Sequence, residues 1–138
     1  MNRERVLVIL KPDCVRRGLI GEVIQRFERK NLKIERMELR ELPIELVKQH
    51  YAEHENKPFY DKLVRFMAHG KVVTMIVKGF DAIVTIRQLI GATKNAEPGS
   101  IRGDFAELGV ENIVHASDST ASAEKEIGLF YEDQSKTD

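Results

Sequence analysis

Four short apolar runs, separated by segments with helical periodicity, constrain the fold of this chain more than any other feature. The first and third runs, RVLVILK (5–11) and KVVTMIVKG (71–79), are rich in β-branched and aliphatic residues, which is typical of buried strands. The run LKIERMELREL (32–42) alternates imperfectly in polarity and predicts a half-exposed strand, and NIVHA (112–116) predicts the fourth strand. The sequence therefore predicts a four-stranded sheet.

Predicted helices lie between these strands. The clearest spans 18–31, where Leu19, Val23 and Phe27 repeat at helical spacing on one face. We expect Asp81 to be the N-cap of a helix over 81–91. The remaining predicted elements are helices over 43–54, over 59–69 and after 119, and a turn-rich loop over 95–103.

The resulting order, β-α-β-α-α-β-α-loop-β-α, predicts an α+β fold. It fits a ferredoxin-like sandwich, a four-stranded antiparallel sheet covered by helices, in its simplest version on one face. We expect a single domain over residues 1–138. A Rossmann-type fold is disfavoured, because no strand is followed by a glycine-rich dinucleotide fingerprint.

The composition narrows the class of protein. Acidic and basic residues balance at 22 each, which argues against nucleic acid as a partner, since binding it requires an excess of basic side chains on one face. The single cysteine, Cys14, excludes an internal disulfide and fits a reducing compartment. The apolar part of the N-terminus is too short for a signal peptide, and no window predicts a membrane span. We therefore expect a cytoplasmic enzyme or binding domain.

The segment GVENIVHASDS (109–119) places one histidine, His115, at the end of the fourth predicted strand. An imidazole at this position could be a packed structural group, a metal ligand, a general base or a nucleophile. His50 and His54 are four residues apart on a charged helix, but the HExxH pattern is absent. We expect those two histidines on a solvated face and predict no metal site.

Two features favour a nucleophilic role for His115. The small residues Ala116, Ser117 and Ser119 leave room for a phosphate beside the ring. Glu126, on the last predicted helix, could fold back and accept the N–H of the imidazole. That hydrogen bond would fix the tautomer and make the opposite ring nitrogen a better nucleophile.

A phosphate site also requires cations and neutral donors. Arginine is the better phosphate ligand of the two cations, because its planar fork binds two oxygens. Each basic residue has the alternative role of a solvated surface charge. An aromatic platform for a base could come from Phe59 or Tyr60, and the alternative for Phe59 is packing in the core. The candidate phosphate ligands are Lys11, Arg87, Thr93 and Arg102.

Over almost its whole length the chain resembles the nucleoside diphosphate kinases. The combination of NIVHASDS with a separate PGSIRGDF is a specific signature, and further matching segments occur in the same order. The matching segments are KPD (11–13), RRGLIGEVIQRFE (16–28), HYAEH (50–54), KPFYDKLVRFM (57–67), IRQLIGAT (86–93), PGSIRGDF (98–105), NIVHASDS (112–119) and SAEKEIGLF (122–130).

The resemblance implies transfer of the γ-phosphate from a nucleoside triphosphate to a nucleoside diphosphate, by a ping-pong mechanism through a phosphohistidine on His115. Broad base tolerance is expected, because Phe59 would stack on any base. Glu126 is implied to orient the histidine, with the Ser117 hydroxyl beside it. Mg²⁺ would enter on the nucleotide phosphates, with Asp118 reaching it only through water. The residues implied to hold phosphates and sugar are Lys11, Tyr51, Arg87, Thr93, Arg102 and Asn112.

The resemblance also implies a homo-oligomer, a tetramer or hexamer built from dimers. The segment TKNAEPGSIR (93–102) is shorter than usual in the family, and Cys14 replaces a common glycine. Two other function classes stay open: a regulatory module that binds nucleotide without turnover, and a ligand sensor or structural domain in which His115 only packs.

Overall fold

The computed structural model describes residues 2–107 and 109–135. Its strands are β1 (Arg3–Leu10), β2 (Lys33–Glu41), β3 (Lys71–Phe80) and β4 (Val114–Ala116). They form one sheet in the order β2-β3-β1-β4, and every neighbouring pair is antiparallel. This confirms the predicted α+β ferredoxin-like sandwich. The predicted single domain also includes residues 1, 108 and 136–138, which lie outside the described residues.

Helices cover both faces of this sheet. On one face Val8 and Val73 pack with Phe27 and Ile86, and on the other face Ile9 packs with side chains of three further helices. The simplest prediction, helices on one face only, is therefore wrong. The central strand β1 is apolar at consecutive positions, so it requires cover on both sides. The helices are α1 (Pro12–Arg16), α2 (Ile20–Arg29), α3 (Ile44–His50), α4 (Tyr60–Ala68), α5 (Ala82–Ile90), α6 (Ile101–Phe105) and α7 (Thr120–Ser135).

The start of α5 differs from its prediction. Asp81 stands at the N-cap position but has a left-handed backbone, with φ of 50°, and makes no side-chain bond to the helix. Its carboxylate instead accepts the N–H of Asn2. The N–H of Ile83 in the first turn is satisfied by the carboxylate of Glu4 at 3.1 Å. A side chain from β1 therefore does the capping that a local interpretation gives to Asp81.

Two other predicted elements are divided differently. The helix predicted over 43–54 consists of α3 and a 3₁₀ turn at Ala52–His54. The loop predicted over 95–103 ends in α6, where the hydroxyl of Ser100 accepts the N–H of Gly103 at 3.0 Å. None of the helices among the described residues is both long and apolar enough to cross a membrane.

Candidate active site

The short strand β4 determines where His115 lies. Its register against β1 pairs Ile9 with His115 and Leu10 with Val114. Paired residues of antiparallel strands point to the same face, so His115 shares the face of Ile9, which α3 and α7 cover. The His115 side chain keeps 23% of its surface exposed. The imidazole therefore lies at the rim of the core and is open to solvent.

Glu126 on α7 reaches this imidazole. The distance between His115 Nε2 and Glu126 Oε1 is 3.0 Å, and the same oxygen accepts the hydroxyl of Ser117 at 2.7 Å. Ser117 is fully buried and its Oγ also accepts the N–H of Leu7. A carboxylate can only accept here, so Nε2 carries the proton and the lone pair of His115 lies on Nδ1. Ser117 thus does more than leave space, because it fixes the carboxylate.

The charge on Glu126 is favoured by these contacts. Burial alone raises the pKa of this carboxyl, but the hydrogen bonds from His115 and Ser117 outweigh burial, and the net pKa lies below its ordinary value. The carboxylate is therefore ionised at neutral pH. It can hold the imidazole N–H in place and stabilise positive charge that develops on the ring.

His50 at the end of α3 packs edge-on against His115. The two ring centroids are 4.6 Å apart and the ring planes are perpendicular. Burial, followed by the nearby charge of His115, lowers the pKa of His50 to about 3. The prediction of a solvated position is wrong for His50, because it lies one helical turn after the buried Val47 and faces the same way.

Two buried cations, Lys11 and Arg102, approach the histidine from the end of β1 and from α6. Lys11 Nζ donates to Asn112 Oδ1 at 2.7 Å, and an Nη of Arg102 donates to the carbonyl of Val114 at 2.7 Å. Burial, then the charge of Arg102, lowers the pKa of Lys11 to about 8. Burial, then the charge of Arg87, lowers the pKa of Arg102 to about 10. The cations therefore repel one another in a poorly solvated place.

Arg87 on α5 is the third cation. It is exposed and donates to the carbonyl of Ala116 at 3.2 Å. Among the described residues, no carboxylate lies within ion-pair distance of Lys11, Arg87 or Arg102. Buried charges in proteins are normally paired, so the buried Lys11 and Arg102, with the exposed Arg87 beside them, favour an anionic ligand.

The backbone is strained at Ile113, two residues before His115. The fully buried Ile113 has φ of 75°, which is unfavourable for a β-branched residue. Its N–H donates to Asp13 Oδ2 at 3.0 Å, and its carbonyl accepts the N–H of Lys11 at 2.9 Å. Burial raises the pKa of the Asp13 carboxyl. This bracing carboxyl fixes the turn that presents Asn112 and His115 to the same cleft.

The cleft has a volume of about 260 Å³. All the predicted site residues except Phe59 line it, and Asp118 lies at the same opening. Phe59 is 42% exposed outside the cleft, with its ring 5.6 Å from that of His54, which does line it. The residues that the structure brings together are Lys11, Tyr51, Arg87, Thr93, Arg102, Asn112, His115 and Glu126.

Reasoning from residue types missed Asp13 and His50. Asp13 could have been found as an acid directly after a buried strand and next to a candidate phosphate ligand. His50 could have been found from its helical spacing to Val47. Neither signal specifies which residues the side chain contacts, because the partners lie far away in the sequence.

Comparison with known proteins shows the family of this chain. The family model for nucleoside diphosphate kinase matches residues 4–136. A curated nucleoside diphosphate kinase of Thermobifida fusca is 56% identical, and the match covers 94% of this chain and 98% of that protein. Another from Pyrococcus abyssi is 53% identical, and the match covers 96% of this chain and 86% of that protein. A solved halophilic nucleoside diphosphate kinase of Halobacterium salinarum matches with a TM-score of 0.91 and 44% identity, covering 96% of this chain and 90% of that one. This chain is a kinase that belongs to the nucleoside diphosphate kinase family.

Proposed function

We propose that this enzyme transfers the γ-phosphate of a nucleoside triphosphate to a nucleoside diphosphate through a phosphohistidine on His115. The observation that carries this proposal is the 3.0 Å contact between His115 Nε2 and Glu126 Oε1. It leaves the lone pair on Nδ1, the ring nitrogen that is not bound to Glu126. Three cations, Lys11, Arg87 and Arg102, line the same cleft, and none of them has a carboxylate partner in the described part of the chain.

The reaction has two half-reactions that use one ring nitrogen. Nδ1 of His115 attacks the γ-phosphorus, the bond to the bridging oxygen breaks, and the diphosphate leaves. The imidazole gains positive charge, which the Glu126 carboxylate stabilises while Nε2 keeps its proton. A terminal phosphate oxygen of a second nucleoside diphosphate then attacks the phosphorus, and the electron pair returns to Nδ1. The cations supply positioning and charge stabilisation, which phosphoryl transfer chiefly requires.

Broad base tolerance follows from the size of the cleft and the position of Phe59. At about 260 Å³, the cleft lies below the roughly 300–1,000 Å³ of most small-molecule sites. It suits phosphates and sugar, and would leave the base outside against the exposed Phe59 ring. Stacking accepts any base, because every base has a π-face. The similar Halobacterium salinarum structure is described as a complex with CDP, which supports a pyrimidine nucleotide as ligand.

We expect magnesium to arrive with the nucleotide. Of the acidic side chains lining the cleft, Glu126 is bound to His115 and Ser117, and Glu53 lies 3.7 Å from His54. Asp118 is left as the acid free to approach a hard cation, through water. These residues fit a Mg²⁺ ion held mainly by phosphate oxygens, where it would neutralise their charge.

The proposal includes a cytoplasmic homo-oligomer, a tetramer or a hexamer of dimers. The edge strand β2 exposes 50% of Met37 and 57% of Leu39, which is an unusual amount of apolar surface for a sheet edge facing water. The lone Cys14 fits a reducing compartment. Sedimentation of the purified chain distinguishes the tetramer from the hexamer.

Labelling with γ-labelled ATP, without an acceptor, tests the proposed function. We expect the wild-type chain to gain one acid-labile, base-stable phosphate, and His115→Ala to gain none while keeping its circular dichroism spectrum. His69→Ala is the matched control, because His69 is an exposed histidine outside the cleft. Labelling of His115→Ala at the wild-type rate, or a wild-type chain that binds ATP and is never labelled, would refute the mechanism. The second outcome is that of a nucleotide-binding module without turnover.

A further inference from the structure

A set of metal-ligand side chains surrounds the proposed nucleophile. His50, His115 and Glu126 each offer one ligand atom, and these three atoms lie within 4.8 Å of one another. Two imidazoles and one carboxylate are a donor set that binds zinc, with metal–ligand distances of about 2.0–2.2 Å. Ligands of a tetrahedral ion are roughly 3.3 Å apart, so small side-chain rotations would close this set around an ion.

His50 has a ring nitrogen that is available to bind a metal ion. Its Nε2 atom is buried and has no hydrogen-bond partner among the described residues. A buried ring nitrogen without a partner is costly, and a metal ion would satisfy it. The proposed phosphotransfer reaction gives this nitrogen no role.

We propose that His50, His115 and Glu126 form an inhibitory site for Zn²⁺ that blocks phosphorylation of His115. If the ion binds Nδ1, it occupies the lone pair directly. If it binds Nε2 beside Glu126, the Nε2 proton moves to Nδ1, and the neutral ring again has no free lone pair there. Either arrangement removes the nucleophile, and the Glu126 carboxylate then binds the metal instead of the imidazole N–H.

The donor set distinguishes zinc from the magnesium that accompanies the nucleotide. Imidazole nitrogen is a preferred ligand of Zn²⁺, whereas Mg²⁺ takes oxygen ligands in octahedral geometry and keeps several waters. Millimolar Mg²⁺ should therefore not displace the inhibitor. If zinc binds Nδ1, a phosphorylated His115 should exclude it, because the phosphate occupies that atom. In this arrangement zinc and the phosphoryl group compete for the same ring nitrogen.

The first experiment measures Zn²⁺ binding to the full chain by isothermal titration calorimetry. The buffer contains Mg²⁺ and no nucleotide. We expect one Zn²⁺ per chain, and a dissociation constant at least tenfold weaker for His50→Phe, which keeps an aromatic ring without a ligand. His54→Ala is the matched control, since His54 lies on the same wall of the cleft outside the three-residue set. The absorption spectrum of bound Co²⁺ gives an independent measure of tetrahedral coordination, and its loss in His50→Phe is expected.

The proposal is overturned if the wild-type chain binds no zinc, if His50→Phe binds it as tightly as the wild type, or if His54→Ala weakens binding as much as His50→Phe. The inhibitory part rests on the proposed function of His115 and has its own readout. Zinc should stop phosphate labelling, and a chelator should restore it. His50→Phe should require at least tenfold more zinc than the wild type for the same fractional inhibition, with each variant compared with its own labelling rate in the absence of zinc. Continued labelling of the zinc-saturated wild type overturns inhibition. If the wild-type chain is not labelled even without zinc, the proposed function is contradicted. The calorimetric titration with Zn²⁺ then still tests the metal site.

Discussion

Replacing Lys11 with methionine should stabilise the fold while it removes the phosphotransfer activity. Lys11 is 6% exposed, and its only hydrogen-bond partner among the described side chains is the Asn112 oxygen, 2.7 Å from Nζ. In the described part of the folded chain, this buried cation therefore has no carboxylate within ion-pair distance until an anionic substrate binds. Methionine fills a similar volume and has no charge to desolvate.

The size of this effect follows from the lysine pKa. Its fall from 10.5 to about 8 corresponds to roughly 3 kcal/mol of destabilisation at pH 7. Losing the hydrogen bond to Asn112 offsets about 1 kcal/mol of the gain. We therefore expect the free energy of unfolding to rise by about 2 kcal/mol, with a melting temperature higher by roughly 6 °C.

The effect has a defined dependence on pH. Between pH 8 and 10.5 the unfolded chain still binds the Lys11 proton and the folded wild type does not, so wild-type stability rises with pH in this window. The advantage of Lys11→Met is therefore complete below pH 8 and disappears towards pH 10.5. The exposed Lys62→Met is the control and should change stability by less than about 0.5 kcal/mol.

The assay is urea denaturation of both variants and the wild type at one protein concentration, at several pH values from 7 to 10. A Lys11→Met chain that is less stable than the wild type at pH 7, or whose stability difference does not change with pH, would refute the argument. Labelling with γ-labelled ATP should be lost in Lys11→Met and retained in Lys62→Met. Retained labelling would contradict the proposed role of Lys11 in phosphate binding.

Two further substitutions test the proposed catalytic and base-binding residues. Glu126→Gln should keep the contact with Ser117 but remove the negative charge that stabilises the imidazolium, so we expect kcat to fall roughly 10- to 1,000-fold with little change in KM; an unchanged kcat would show that the carboxylate only packs. Phe59→Ala should raise KM by roughly 5- to 100-fold for purine and pyrimidine nucleotides alike, because stacking contributes about 1–3 kcal/mol per base. A loss confined to one base, measured by comparing ADP and CDP as acceptors, would contradict the stacking argument.

Much of the fold could be predicted because its signals are local. Runs of β-branched residues identify β1 and β3, and the alternation of Ile34 with Lys33 and Glu35 identifies a half-exposed strand. The five-residue helix α6 was missed, since a stretch rich in glycine and proline is typical of a loop and a short helix has little periodicity. Covering both faces of the sheet with helices could have been inferred from the consecutive apolar residues of β1.

The sequence by itself predicted which side chains the proposed chemistry would use, with His115 and Glu126 as a pair and three cations as phosphate ligands. Tertiary structure alone decided their arrangement. It packed His50 against His115, left Phe59 outside the cleft, and braced Ile113 with the buried Asp13. The physical reason is register, because shifting β4 by one residue against β1 would turn His115 to the opposite face of the sheet, away from α3 and α7. No local pattern encodes that pairing, since its two strands are separated by about a hundred residues of sequence.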